Sequence, residues 1–265
     1  MPRLRITPTT AGVSNKVDLV KGELFQQWFP LQKNVAEWMG DTRLAKEGRR
    51  LVSDAQLSEL RKKLAPGDII LERRNWYLSN VGLPGFWPHA ALYAGTQREI
   101  LDAFAKDPEV VASIGDYGAR LAKRYPKAWA SLAERDENGH EHTVVEAVSE
   151  GVVSASLEHS CGADYVAVLR PRLTPLVRAA AIDEALRYWG RPYDFNFDFA
   201  TDDEVVCSEL VLKAYQPTEG QGRGLDIPYV EVAGRRAVPP TEFARVFADG
   251  VRPPGRRLGF VPLLE

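Results

Sequence analysis

Apolar residues fall into two rhythms along the chain, and the change between them divides it. From Lys21 to Lys63 the rhythm is helical. "GELFQQWFPLQKNVAEWM" sets Leu24, Phe25, Trp28, Leu31, Val35 and Trp38 at steps of three and four, with Pro30 as a kink or boundary. "SDAQLSELRKKL" follows, with Ser53 placed to cap it. After a Pro/Thr/Ser-rich start, residues 1–63 therefore read as an N-terminal helical arm, either packed on the remainder or standing apart.

At "APGDIILERR" the rhythm shortens: a Pro-Gly turn feeds a β-branched apolar run, the signature of a strand. "HAALYAG", "HTVVEAVSEGVV" and "ADYVAVLRP" are further strand candidates. An insertion over about 96–142 separates two of them. Its middle, "GARLAKRYPKAWASLAE", is helical with a break at Pro126, and its end, "RDENGHEH", is a polar loop. Loops of this length commonly carry function, so a wall or lid over a site is expected. "TPLVRAAAIDEALRYWG" is the clearest helix, with Thr174 as cap, Pro175 in the first turn and Gly190 as stop. "CSELVLKAYQP" and "PPTEFARVFADG" are two more, the Gly-rich "TEGQGRG" is a loop, and "LGFVPLL" reads as an edge strand. The order predicts one α+β domain over 64–265.

Composition narrows the classes. Of 265 residues 45% are hydrophobic and 26% charged, as in a globular domain, and the net charge of -2 gives no electrostatic reason to bind nucleic acid or anionic membrane. Two cysteines make no disulfide framework. No apolar run reaches membrane-span length, and "MPRLRITPTTAGVSN" has no signal core, so a cytoplasmic location is the expectation.

Three residues carry candidate chemistry. Cys207 lies where "DDEVV" gives way to "CSELV". A Thr201-x-x-Glu204 capping box would bury it in a second turn; alternatively "DEVV" is extended and the helix begins at Cys207, where the helix dipole favours a thiolate. By residue type alone, a cysteine beside Val205 and Val206 is as well explained as packed core. His89 opens a strand on which it shares a face with Ala91 and Tyr93, while Ala90, Leu92 and Ala94 share the other. It suits either a backbone-satisfied histidine or a rigidly held base. Glu146 sits among valines in "TVVEAV". Burying it without a partner is costly, so it either faces outward or orients an imidazole.

Together, "ALRYWGRPYDFNF", "VVCSELVLKAY", "PGDIIL" and "HAALYAG" resemble the Gly-x-Pro-Tyr and Cys-Ser-x-Leu-Val elements of the NlpC-type thiol peptidases. The histidine and carboxylate precede the cysteine. That order resembles the circularly permuted branch, the YiiX/YebB-like hydrolases and, more distantly, the lecithin-retinol acyltransferase-like enzymes. The resemblance runs from about Pro66 to Tyr215. It implies a permuted papain-like fold, an antiparallel sheet packed against the cysteine-bearing helix. It also implies Cys207 as nucleophile, His89 as base and Glu146 as third member, with Tyr193 and Ser208 near the oxyanion or substrate. One departure is Val206, where typical NlpC chains carry Asp; it weakens the case for a cell-wall peptide substrate. The activity expected is cleavage of an amide bond in a small peptide, an amino-acid-derived or an acyl substrate, without metal or other cofactor. A thiol acyltransferase or lipid acyl hydrolase, for which membrane contact is possible, and an inactive binding module are the rival expectations.

Other candidates have structural readings. Asp68 caps its turn. His140, His142, His159 and Cys161 fit no common zinc spacing. Asp194 and Asp198, flanking aromatics in "YDFNFDF", suit either a substrate amine or loop hydrogen bonds. Trp28, Trp38 and Trp76 suit packing.

Overall fold

The structure is a computed structural model that describes residues 50–75, 85–195, 203–216, 224–232, 235–249 and 258–261. The expected arm up to residue 49, Trp28, Trp38, Trp76 and Asp198 lie outside these residues.

In chain order the strands are β1 (Asp68–Arg73), β2 (His89–Tyr93), β3 (His142–Val148), β4 (Gly151–Ser156), β5 (Tyr165–Pro171), β6 (Val230–Val232), β7 (Arg235–Ala237) and β8 (Leu258–Val261). The helices are α1 (Asp54–Lys63), α2 (Gln97–Phe104), α3 (Pro108–Ile114), α4 (Tyr117–Arg124), α5 (Pro126–Ser131), α6 (Leu157–Ser160), α7 (Pro175–Tyr188), α8 (Cys207–Ala214) and α9 (Pro240–Asp249). A six-stranded sheet has the order β4-β3-β2-β1-β5-β8, antiparallel throughout, and β6 and β7 form a separate hairpin. This is the expected α+β architecture, with "LGFV" at the sheet's edge. The expected single strand "HTVVEAVSEGVV" is instead the β3–β4 hairpin, which turns at Ser149 and Glu150.

Period-two alternation sends each strand's residues into two cores. Ile69, Leu71, Ala90, Leu92, Val145 and Leu169 pack with α7 and α8 on the front. Ile70, Ala91, Tyr93, Val144 and Val168 pack on the back with Leu57, Leu60, Leu157 and Cys161. The α1 helix, assigned from sequence to the arm, is thus seated on the sheet's back. Its Ser53 cap accepts from Gln56 N–H, and Gln56 answers the Ser53 N–H.

Two glycines permit close approaches that fix the loops. Gly67 (φ 94°) makes the turn into β1; a Cβ there would meet Tyr215 Oη at 2.9 Å. Asp68 completes that turn, accepting from Ala65 N–H at 2.9 Å and from Arg170 at 2.8 and 2.6 Å. Gly151 (φ 109°) lets the Arg191 carbonyl come so near that a Cβ would lie 2.4 Å from it. Val152 N–H donates to that carbonyl at 2.8 Å, which ties the segment carrying Tyr193 to the sheet.

The insertion packs on the front of the sheet. It leaves β2 at the Tyr93 end, opposite His89, and its Ile100, Phe104, Val110, Tyr117 and Leu121 join the front core beside α7. Tyr117 donates to Ala179 O at 2.6 Å, while Arg120 and Tyr125 each reach Asp183 at 2.6 Å. Its apolar content requires burial, and α7 supplies the surface. Among the described residues, no helix is long and apolar enough to cross a membrane.

Candidate active site

Cys207 is the first residue of α8, and the extended alternative is the one adopted. Val205 pairs with the Tyr193 segment: Val205 N–H donates to Pro192 O at 3.1 Å and Asp194 N–H to Val205 O at 3.3 Å. Val206 remains extended (φ -90°, ψ 164°), so helical geometry begins at the cysteine. Valine offers no capping oxygen, but Glu209 accepts from Val206 N–H at 3.4 Å, half of a capping box. Glu209 is fully buried. Burial pushes its pKa up to about 7, against the pull of Lys213 and the Val206 amide.

His89 stands at the first position of β2, where the sheet's back-face carboxylates and the front-face helix both reach it. Its Nε2 lies 2.8 Å from Glu146 Oε2. Cys207 lies within electrostatic reach of the same ring. Cys207 Sγ also lies 3.9 Å from the Pro88 carbonyl, directly before the histidine. Burial opposes charge on the ring, but the Cys207 thiolate by charge and hydrogen bond, then Glu146 and Glu72, hold the imidazolium well above the ordinary histidine range.

Glu146 is inward and buried, so its outward alternative is set aside. Burial would raise its pKa, but the His89 hydrogen bond and charge, then Arg74 and His159, bring it below the usual value. Ser160 Oγ donates to the same oxygen at 3.2 Å. Sequence reasoning missed Glu72, which the β1–β2 register sets directly opposite His89. Its Oε1 is 3.6 Å from His89 Nε2, and its Oε2 is 3.6 Å from Arg74. Burial raises its pKa, with Arg74 and His89 opposing and Glu146 adding to the rise. The available signal was alternation: Asp68, Ile70 and Glu72 share a face, and a carboxylate ending an apolar strand must find a partner.

Tyr193 is within electrostatic reach of Cys207; burial, the thiolate and Asp194 push its hydroxyl well above the ordinary phenol range. Its ring lies 5.0 Å from that of Phe195. Asp194 and Ser208 are both nearly fully buried, Asp194 beside Glu209 and Ser208 in the first turn of α8.

The remaining candidates lie elsewhere. His140 Nδ1 faces Asp136 at 3.3 Å, and His142 Nδ1 faces Ser131 O at 3.1 Å. Cys161 and Cys207 are both free thiols. Among the described residues, Glu72, His89 and Glu146 have ligand atoms within 4.8 Å of one another, a spacing that could hold a metal ion. Arg74, 3.6 Å from Glu72, places a competing positive charge there.

Residues 63–233 match the family described as permuted papain-like amidase enzyme, YaeF/YiiX, C92 family. No curated protein matches the chain, and no solved structure does.

Proposed function

The chain belongs to the permuted papain-like amidases of the YaeF/YiiX, C92 family, and from that premise we propose that it is a cysteine hydrolase acting on an amide bond through Cys207, His89 and Glu146. One arrangement supports the reading: a thiol at a helix start lies within electrostatic reach of an imidazole that a buried carboxylate also holds.

The thiol proton passes to His89, and the sulfur attacks the carbonyl carbon. The Cys207 backbone N–H, with Tyr193, faces the oxyanion that forms. As the carbon–nitrogen bond breaks, the imidazolium returns its proton to the leaving amine, and an acyl-thioester remains. His89 then takes a proton from water and hydroxide adds to the thioester; as the carbon–sulfur bond breaks, the imidazolium returns its proton to the Cys207 sulfur and the carboxylic acid leaves. Glu146 fixes the ring's orientation and supports its charge throughout, as the third member of such triads does. A panel of amino-acid amides tests this. Wild type is expected to release amine from at least one amide, and Cys207→Ser to release none above background. Equal turnover by both would overturn the assignment.

A second observation favours an apolar acyl group on the substrate. Phe86 and Tyr165 are exposed, their rings 5.3 Å apart, and Trp87 packs edge-on to Phe86. Phe86 and Trp87 directly precede Pro88, whose carbonyl faces the sulfur. This is the feature through which acyl transfer or lipid acyl hydrolysis would run on the same site. Rates over acyl anilides of increasing chain length are expected to rise with length in wild type and to flatten in Phe86→Ser. A flat wild-type series would remove the second reading.

A further inference from the structure

His89 answers to two buried carboxylates, and the chemistry above uses only one. Glu72 is 5% exposed, lies across the strand pair from His89, and holds Oε1 3.6 Å from the same Nε2 that Glu146 approaches to 2.8 Å. Its other oxygen is buried and accepts no hydrogen bond. A carboxylate kept there only to fill space would be served as well by an apolar side chain, which leaves no buried polar atom unpaired.

We propose that Glu72 is a positioning residue acting through His89: its negative charge holds the ring as imidazolium and thereby sustains the Cys207 thiolate. This rests on the reading of Cys207 as nucleophile and His89 as its base. A negative charge near a ring nitrogen favours the protonated ring, and the interior screens it less than water does. Glu72 faces Arg74 just past the end of its own strand, His89 on β2, Glu146 on β3, and His159 and Cys161 at the α6 end. Arg74 also anchors this wall, donating to the His159 and Ser160 carbonyls at 3.1 Å each. Ser160 in turn holds Glu146. The two carboxylates are therefore built differently. Glu146 is hydrogen-bonded to the ring and to Ser160, which fixes geometry, whereas Glu72 stands beyond hydrogen-bond distance and acts by charge. Only one proton moves in the step it tunes, from the Cys207 sulfur to His89.

Alkylation of Cys207 by iodoacetamide, located by peptide mass spectrometry across about pH 5 to 9, reads the imidazolium directly, because its loss changes the thiolate's reactivity. In wild type an inflection above the ordinary histidine value is expected. Glu72→Gln is expected to move it down by about one pH unit, and Glu72→Asp, with its charge withdrawn, by a smaller amount of the same sign. An inflection that coincides in wild type and folded Glu72→Gln would overturn the proposal. Should Glu72→Gln not fold, an unmoved inflection in Glu72→Asp would do the same. Failure of the nucleophile reading looks different: Cys207 in wild type would titrate as an ordinary thiol near about 8.5, indifferent to His89→Ala.

Discussion

Cys161 and Cys207 are both buried and both reduced, yet they occupy opposite kinds of ground. Cys161 follows α6 in the back core, among Leu57, Leu60 and Leu157. Burial, and then the Glu72 and Glu146 carboxylates, push its thiol well above the ordinary range, with Arg74 opposing. Cys207 opens α8, beside a ring whose positive charge is held well above the usual histidine range. The same carboxylates that suppress ionisation at Cys161 favour the charged form of His89, the ring nearest Cys207. Burial alone therefore says little about a cysteine; the sign of the nearest charge decides.

Exchanging the cysteines gives the largest contrast. Cys207→Ala is expected to lower kcat/KM by at least about 10⁴-fold, as loss of a triad nucleophile does, while Cys161→Ala stays within a few-fold in the same amidase assay. Removing the carboxylate that links the two regions comes next. Glu146→Gln keeps the volume but loses the charge, and a fall of about 10²- to 10⁴-fold in kcat is expected, with folding checked by circular dichroism.

The two regions also differ in what they give to stability. Leu60, wholly buried behind Cys161, contributes packing and no chemistry. Leu60→Ala is expected to cost about 2–5 kcal/mol in urea denaturation while kcat of the folded fraction is kept. The smallest effect is in pH. His89 has a raised pKa in the folded chain, so its protonation stabilises the fold fully below the unfolded value of about 6.5 and that contribution is lost as pH rises through the folded value. Cys207→Ser removes the foremost influence that raises it. Stability is therefore expected to fall as pH rises through the folded His89 value, with wild type the steeper of the two proteins.

Much of the scaffold was legible because alternation is a local signal. The faces read for His89, Ala91 and Tyr93 against Ala90, Leu92 and Ala94 are the faces that enter the two cores. Pro126 breaks the insertion's helices where it was expected to. The first two helices of the insertion were overlooked, although Thr96 with Glu99, and Asp107 with Pro108, are cap signals written in the sequence. The insertion's place was not legible at all, since it depends on which end of β2 it leaves and on α7 offering the apolar face. Cys207, His89 and Glu146 were each singled out by residue type and position, but they were joined into one site through family resemblance, because no local rule brings residues so far apart together. Glu72 escaped both routes. "LERR" reads as the polar end of a strand, and only the β1–β2 register reveals that its first carboxylate faces a histidine.

The central claim is that the sulfur of Cys207, and not that of Cys161, carries the acyl group. Incubating wild-type protein with a slowly hydrolysed acyl anilide, quenching in acid and mapping the added mass by peptide mass spectrometry tests it directly. An acyl adduct on the peptide bearing Cys207, absent in His89→Ala, is the expected result. An adduct on Cys161, or amine release from wild type with no adduct on Cys207 at any quench time, would contradict it.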